Sequence, residues 1–145
     1  MAKKRIKQSV VLSVSLKKGC YRHIQVSVNE TLDDLADIIL WAFDFCNDHV
    51  HAFFMDNSAW SDADCYYMAE VDEDEEYRHT CDVKLHELAL QKDDRFLFVF
   101  DFGDDWEFQC KILRLIDEDT KEPEIIKSVG GAPEQYPDYG CDEEE

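Results

Sequence analysis

The sequence predicts an α+β fold: a mixed, mainly antiparallel sheet with one long helix packed on a face and a short second helix, all in a single domain over residues 1–145. Three observations predict it. Two stretches read as β-hairpins, one segment between them repeats apolar residues at helical spacing, and one run is apolar on both faces, as a covered central strand must be.

The leading hairpin comes first in the chain. Ile6–Leu16 is rich in β-branched residues, Lys17-Lys18-Gly19 supplies a turn, and Tyr21–Val28 alternates, with Tyr21, His23 and Gln25 opposed to Arg22, Ile24, Val26 and Val28. Thr31 then precedes Leu32, Leu35, Ile38, Ile39, Ala42 and Phe43, whose steps of three and four make one apolar helix face. Asp34, three residues after Thr31, completes a capping-box pattern, and Trp41 flanks the stripe.

Beyond Asn47-Asp48, His49–Met55 reads as a short strand and Asn57–Thr80 as a long connection. The acidic run Asp72–Glu76 inside that connection reads as a solvated loop, because clustered like charges repel. Val83–Leu90 is expected to form the second helix, capped by Asp82. Arg95–Phe102 contains FLFVF, the central strand, and Gly103-Asp104-Asp105 turns the chain into a return strand of alternating Trp106, Phe108, Cys110 and Ile112. Leu113 and Leu115 shift that phase, as a bulge would. Pro123, Pro133, Pro137 and Gly130-Gly131 point to a meandering, partly extended closing segment over Glu124–Glu145. Leu35, Ile39, Phe43, Phe98 and Trp106 are the expected core.

Composition narrows the function classes. With 145 residues and 45% hydrophobic content the chain is long and apolar enough for one core. Net charge is −19, yet residues 1–30 hold seven Lys/Arg against Glu30, which leaves −25 on the remainder. Such a surface repels phosphate backbones, so no nucleic acid is expected as partner of the whole domain. No apolar run suits a membrane span and Met1–Gln8 lacks the apolar stretch of a secretory signal, so a cytoplasmic protein is expected. Cys20, Cys46, Cys65, Cys81, Cys110 and Cys141 show no C-x-x-C spacing and are read as free thiols, mostly small core residues. The DFG triplet at Asp101 lacks the glycine-rich and catalytic loops of a kinase, and neither a G-x-S-x-G elbow nor a phosphate-binding glycine loop is present.

The leading hairpin, the T-L-x-x-L-x-x-I-x-x-A-F helix (Thr31–Phe43), H-V-H-x-F (His49–Phe53), the DFGDDW turn (Asp101–Trp106) and a late G-x-A-P-E ending at Glu134 together resemble the plasmid pRiA4b open-reading-frame-three-like family. The resemblance covers nearly the whole chain. It implies an α+β fold and a link to plasmid or mobile-element genes, without an established reaction. The family commonly has a histidine where this chain has Phe108, and the closing segment here runs Ala132-Pro133-Glu134-Gln135-Tyr136-Pro137.

The chemically suggestive residues are His49, His51, Asp101 and Asp104, with Asp105 and Glu134 beside them. Residues two apart on a strand share a face, so His49 and His51 would present paired imidazoles, and nearby carboxylates would complete a first-row metal set. The competing expectation is that the histidines pack and that Asp101 and Asp104 accept N–H groups of their own turn. Two functions follow. One is a non-catalytic acidic interaction module that binds a basic protein partner through its acidic face and exposed aromatics (Trp41, Trp60, Tyr66, Tyr67, Tyr136, Tyr139). The other is a small metal-binding protein or metal-dependent enzyme using His49/His51 with Asp101/Asp104.

Overall fold

The computed structural model of the chain describes residues 6–133. Strands β1 (Ser9–Lys17) and β2 (Cys20–Ser27) form the first hairpin around the Lys18-Gly19 turn. Helix α1 (Leu32–Ala42) follows, and its capping box is closed in both directions: Thr31 Oγ1 accepts from Asp34 N–H, and Asp34 accepts from Thr31 N–H, each at 3.0 Å. After it come β3 (His51–Phe54), β4 (Cys65–Tyr67), β5 (Arg78–His79), β6 (Arg95–Phe100), β7 (Trp106–Ile116) and β8 (Glu124–Val129).

All eight strands belong to one sheet, in the order β5-β4-β3-β6-β7-β1-β2-β8. This corrects the α+β reading of a mainly antiparallel sheet with two helices. The structure is mostly one mixed eight-stranded sheet with a single α-helix, and β4 pairs with β5 in parallel. The reason the second helix fails lies in its backbone. Leu85 N–H donates to Glu30 O at 2.9 Å and His86 N–H to Val28 O at 3.0 Å, while Lys84 bridges Thr31. With those donors tied to the segment before α1, only a 3-10 turn at Leu85–Leu88 remains, and Ala89 in the left-handed region (φ 53°) ends it.

The Asn57–Thr80 connection also carries more structure than expected, since β4 and β5 lie inside it. The closing segment, read as meandering, contributes β8 at the sheet edge beside β2. Gly130 is required there, because a Cβ at its φ of +81° would stand 2.0 Å from the Gly19 carbonyl oxygen.

Strand β6 lies fourth of eight. Its Phe96, Phe98 and Phe100 face α1 and join Leu35, Ile39 and Phe43 in the main core. Leu97 and Val99 face the other way into a smaller cluster with Ala52 and Phe54, covered by Tyr67, Tyr77 and Phe102. Phe108 packs between Phe43, Phe45 and Phe98, so the position where the family commonly has histidine points into the helix-side core. Trp106 is half-buried at the rim of that core. In β7 the register shifts where Arg114 opposes Val11 and Ile112 opposes Leu12, so Leu113 is the extra residue of a bulge.

Buried Arg22 secures the helix end to the sheet. Its Nε donates to Ala42 O at 3.0 Å, and its Nη1 donates to Val129 O and Gly130 O at 3.1 and 3.0 Å. Among the cysteines, Cys20, Cys65, Cys81 and Cys110 are free thiols, whereas Cys46 is disulfide-bonded, a correction to the all-free reading. Cys46 sits half-buried past the helix end instead of in the core. Cys141 lies outside the described residues.

Candidate functional site

The two histidines of the H-V-H segment do not share one strand face. β3 begins only at His51, and His49 occupies the bend before it, against the Phe100 ring edge. His49 Nε2 stands 3.6 Å from Asp101 Oδ2 and 3.8 Å from Asp48 Oδ1. Asp101 is buried with φ at +65°, and its N–H donates to Val50 O at 2.8 Å. Its Oδ1 accepts from Asp104 N–H at 3.3 Å, so this carboxylate holds the DFGDDW turn while also facing His49. Asp104 and Asp105 are exposed in the turn. Glu134 lies outside the described residues.

His51 goes elsewhere. It is 1% exposed, with Nε2 3.0 Å from Thr80 Oγ1 and 3.6 Å from Asp33 Oδ1. The Thr80 hydroxyl donates to Asp33, so the arrangement that satisfies both contacts has His51 Nε2–H donating to Thr80. Nδ1 then carries a lone pair without a hydrogen-bond partner among the described residues. Burial pushes the imidazole pKa down to about 4 against the opposing pull of Glu70, so His51 is neutral at pH 7. The structure thus joins His49 to Asp101 and His51 to Thr80 and Asp33. Among the described residues no group of three or more His, Cys, Asp and Glu side chains is placed to hold a metal ion.

A second histidine pairing was hidden in the acidic run. Asp72 is buried and accepts from Glu76 N–H at 2.9 Å, from Tyr77 N–H at 2.8 Å and lies 3.0 Å from His79 Nε2. Burial raises its pKa, but these hydrogen bonds outweigh it and hold the carboxyl below its ordinary range. His79 lines a cleft of about 430 Å³ with Tyr66, Tyr77, Asp82 and Glu87. The only sequence signal was the position of Asp72 at the start of the run, four and five residues before the N–H groups it binds.

The outer face of α1 is the third place where chemistry gathers. Asp33, Asp37 and Trp41 are spaced by four residues and therefore form one stripe. Trp41 is 57% exposed and, with Asp37, Ile38, Glu122 and Pro123, lines a groove of about 320 Å³. Asp33 has its pKa raised by burial and then by Asp37, Asp34 and Glu70. Asp37 is raised by burial and by Asp34, against a hydrogen bond from Asn47. Of the other aromatics expected to be exposed, Trp60 is 45% exposed over Phe54 and Phe102, Tyr66 is buried beneath Arg78, and Tyr67 stacks on Tyr77. Tyr136 and Tyr139 lie outside the described residues. No helix among the described residues is long and apolar enough to cross a membrane.

The fold defines a class already seen in a crystal: a protein of unknown function from Methanosarcina mazei Go1 superposes with a TM-score of 0.72 at 22% identity, covering 88% of this chain and 72% of that one. The chain belongs to the family of plasmid pRiA4b ORF-3-like proteins, whose family model matches residues 6–139. No curated protein matches the sequence.

Proposed function

We propose that the protein is a non-catalytic interaction module whose α1 outer face receives a Lys- or Arg-bearing segment of a basic partner protein. The observation that carries this reading is Trp41, 57% exposed in line with Asp33 and Asp37 over a groove that no cation lines among the described residues. A guanidinium or ammonium group over the indole face gains a cation–π contact worth about 0.5–2 kcal/mol, and the flanking carboxylates align it. Asp33 and Asp37, whose charge is disfavoured by burial and by neighbouring acids, are stabilised by an incoming cation.

The test is titration of an alternating Arg/Lys decapeptide into the protein by calorimetry at 150 mM salt. Trp41→Ala and Asp37→Lys are each expected to weaken binding at least tenfold, and Asp74→Lys, in the 72–76 acidic run outside the groove lining, by less than twofold. Equal losses from all three would show diffuse attraction to an acidic surface and defeat the reading.

A further inference from the structure

The half of the sheet beyond the smaller apolar cluster holds a pattern that net charge conceals. Arg95 on β6 opposes Lys111 on β7, Lys111 opposes Ser13 on β1, Ser13 opposes His23 on β2, and His23 opposes Lys127 on β8. Directly opposite residues share a sheet face with Cβ atoms about 4.5–5.5 Å apart, so these five form one row across five strands. The row lies on the face away from α1, because Leu12 and Val14 on either side of Ser13 belong to the helix-side core. Arg114, opposite Val11, joins the same face beside the row.

These cations are poorly neutralised. Arg95, Arg114 and Lys127 are exposed, and among the described residues the row's one ion pair is Lys111 with Asp93 at 3.8 Å. Glu107 and Glu124 share the face at its margins, opposite Val99 and Gln25, and the Glu118–Thr120 segment covers its Ser9–Ser27 end, where Asp119 Oδ1 accepts from the Ser27 hydroxyl. The pKa of His23 is depressed by burial and then by Lys127 and Arg114, so the local field is positive in a chain of net charge −19. Directly opposed like charges destabilise a sheet, which makes the Arg95–Lys111 pair a cost to the fold that a ligand would offset. Next to the row, the Tyr21 ring lies 5.2 Å from that of His23, and Lys127 Nζ is 5.9 Å from the Tyr21 ring.

We propose that this open face binds a short single-stranded nucleic acid segment, its phosphates along the cationic row and a base on the Tyr21–His23 ring pair. Four strand gaps of about 4.8 Å give the row a length of roughly 19 Å, the reach of a few nucleotides. The aromatic pair favours a nucleic acid over an acidic peptide, because bases stack on rings and carboxylates do not. The acidic remainder of the surface limits the ligand to a short segment, since a long duplex would run past the row into repulsion.

Fluorescence anisotropy with a labelled oligothymidylate decamer tests this between 20 and 300 mM salt. Neutralising three or four phosphates predicts a log–log salt slope of about −2 to −3. Lys127→Glu is expected to weaken binding tenfold or more and Tyr21→Ala at least threefold. Lys84→Glu, with the same change of charge beside α1, is expected to change it less than twofold. Melting curves verify that each variant is folded. Absence of binding at 20 mM salt, an equal loss from Lys84→Glu, or equal competition by a polyglutamate peptide of the same charge would overturn the proposal.

Discussion

The two faces of the sheet are built on opposite terms. Toward α1, strand after strand contributes phenylalanine or an aliphatic residue, and Phe43, Phe53, Phe96, Phe98, Phe100 and Phe108 are almost wholly buried. Away from α1 the apolar cluster ends at Leu97 and Val99, and the β7-β1-β2-β8 half presents Ser13, His23, Lys111 and Arg114 beside a single buried valine, Val11. The same strands serve both faces, so the difference is set by alternation and register. It teaches that in a chain with this much acid, the sign of charge at a given place follows from which strands become neighbours. The acids concentrate on the outer face of α1 and in the loops, while three basic residues far apart in sequence, Arg95, Lys111 and Lys127, are set in one row by strand pairing, the first two directly opposite and the third beyond Ser13 and His23.

The largest expected effect sharpens that contrast. Phe98→Ala, which empties the centre of the helix-side core, should cost about 3–5 kcal/mol, and Leu35→Ala about 2–5 kcal/mol. Ser13→Ala, on the open face of the adjoining sheet half, should stay within about 0.5 kcal/mol. Urea denaturation of the three variants makes the comparison, and similar losses would break it.

The acid response comes next. His51 has a folded pKa of about 4, below its ordinary value of 6.5, so folding favours the neutral ring. Its contribution is fully present above about pH 6.5 and is lost as pH falls toward 4, by on the order of 3 kcal/mol. In His51→Phe, which keeps ring packing beside Phe53 and Phe98, that part of the acid sensitivity should vanish, as judged by denaturation at pH 7 and pH 4.5. Smaller still, Thr31→Ala removes the helix cap and should cost about 1 kcal/mol, measured as a drop in melting temperature.

Much of the helix-side architecture was legible because its residues obey a period. Thr31, Asp34 and the Leu35–Ile39–Phe43 face announce α1, FLFVF announces a doubly covered strand, and Leu113 marks the bulge at the residue where the phase slips. What escaped notice lacks such periods. β4 and β5 have three and two residues, too few to repeat a pattern, and β8 is an exposed edge whose own register shift beside Ile24 scrambles its alternation. Val83–Leu90 has helical composition, but its N–H groups are captured by Val28 and Glu30, a tertiary choice that local propensity does not encode.

The candidate site was legible in part for the same reason. His49 and Asp101 carry the titratable groups that motif spacing brings out and do approach, whereas the destination of His51 depends on Thr80, whose neutral side chain carries no such signal. Asp72 looked like one more solvated acid and is instead the buried acceptor that folds its own loop. The basic row could not be seen without the strand order, and an argument from net charge alone averages it away.

The most direct test of the account is an NMR titration of the labelled protein with the Arg/Lys decapeptide at 150 mM salt. If α1 is the docking face, the backbone signals of Asp33 to Trp41 and the Trp41 indole N–H should shift together and saturate with one affinity. Shifts that instead spread over the 72–76 acidic run and fail to saturate would contradict it.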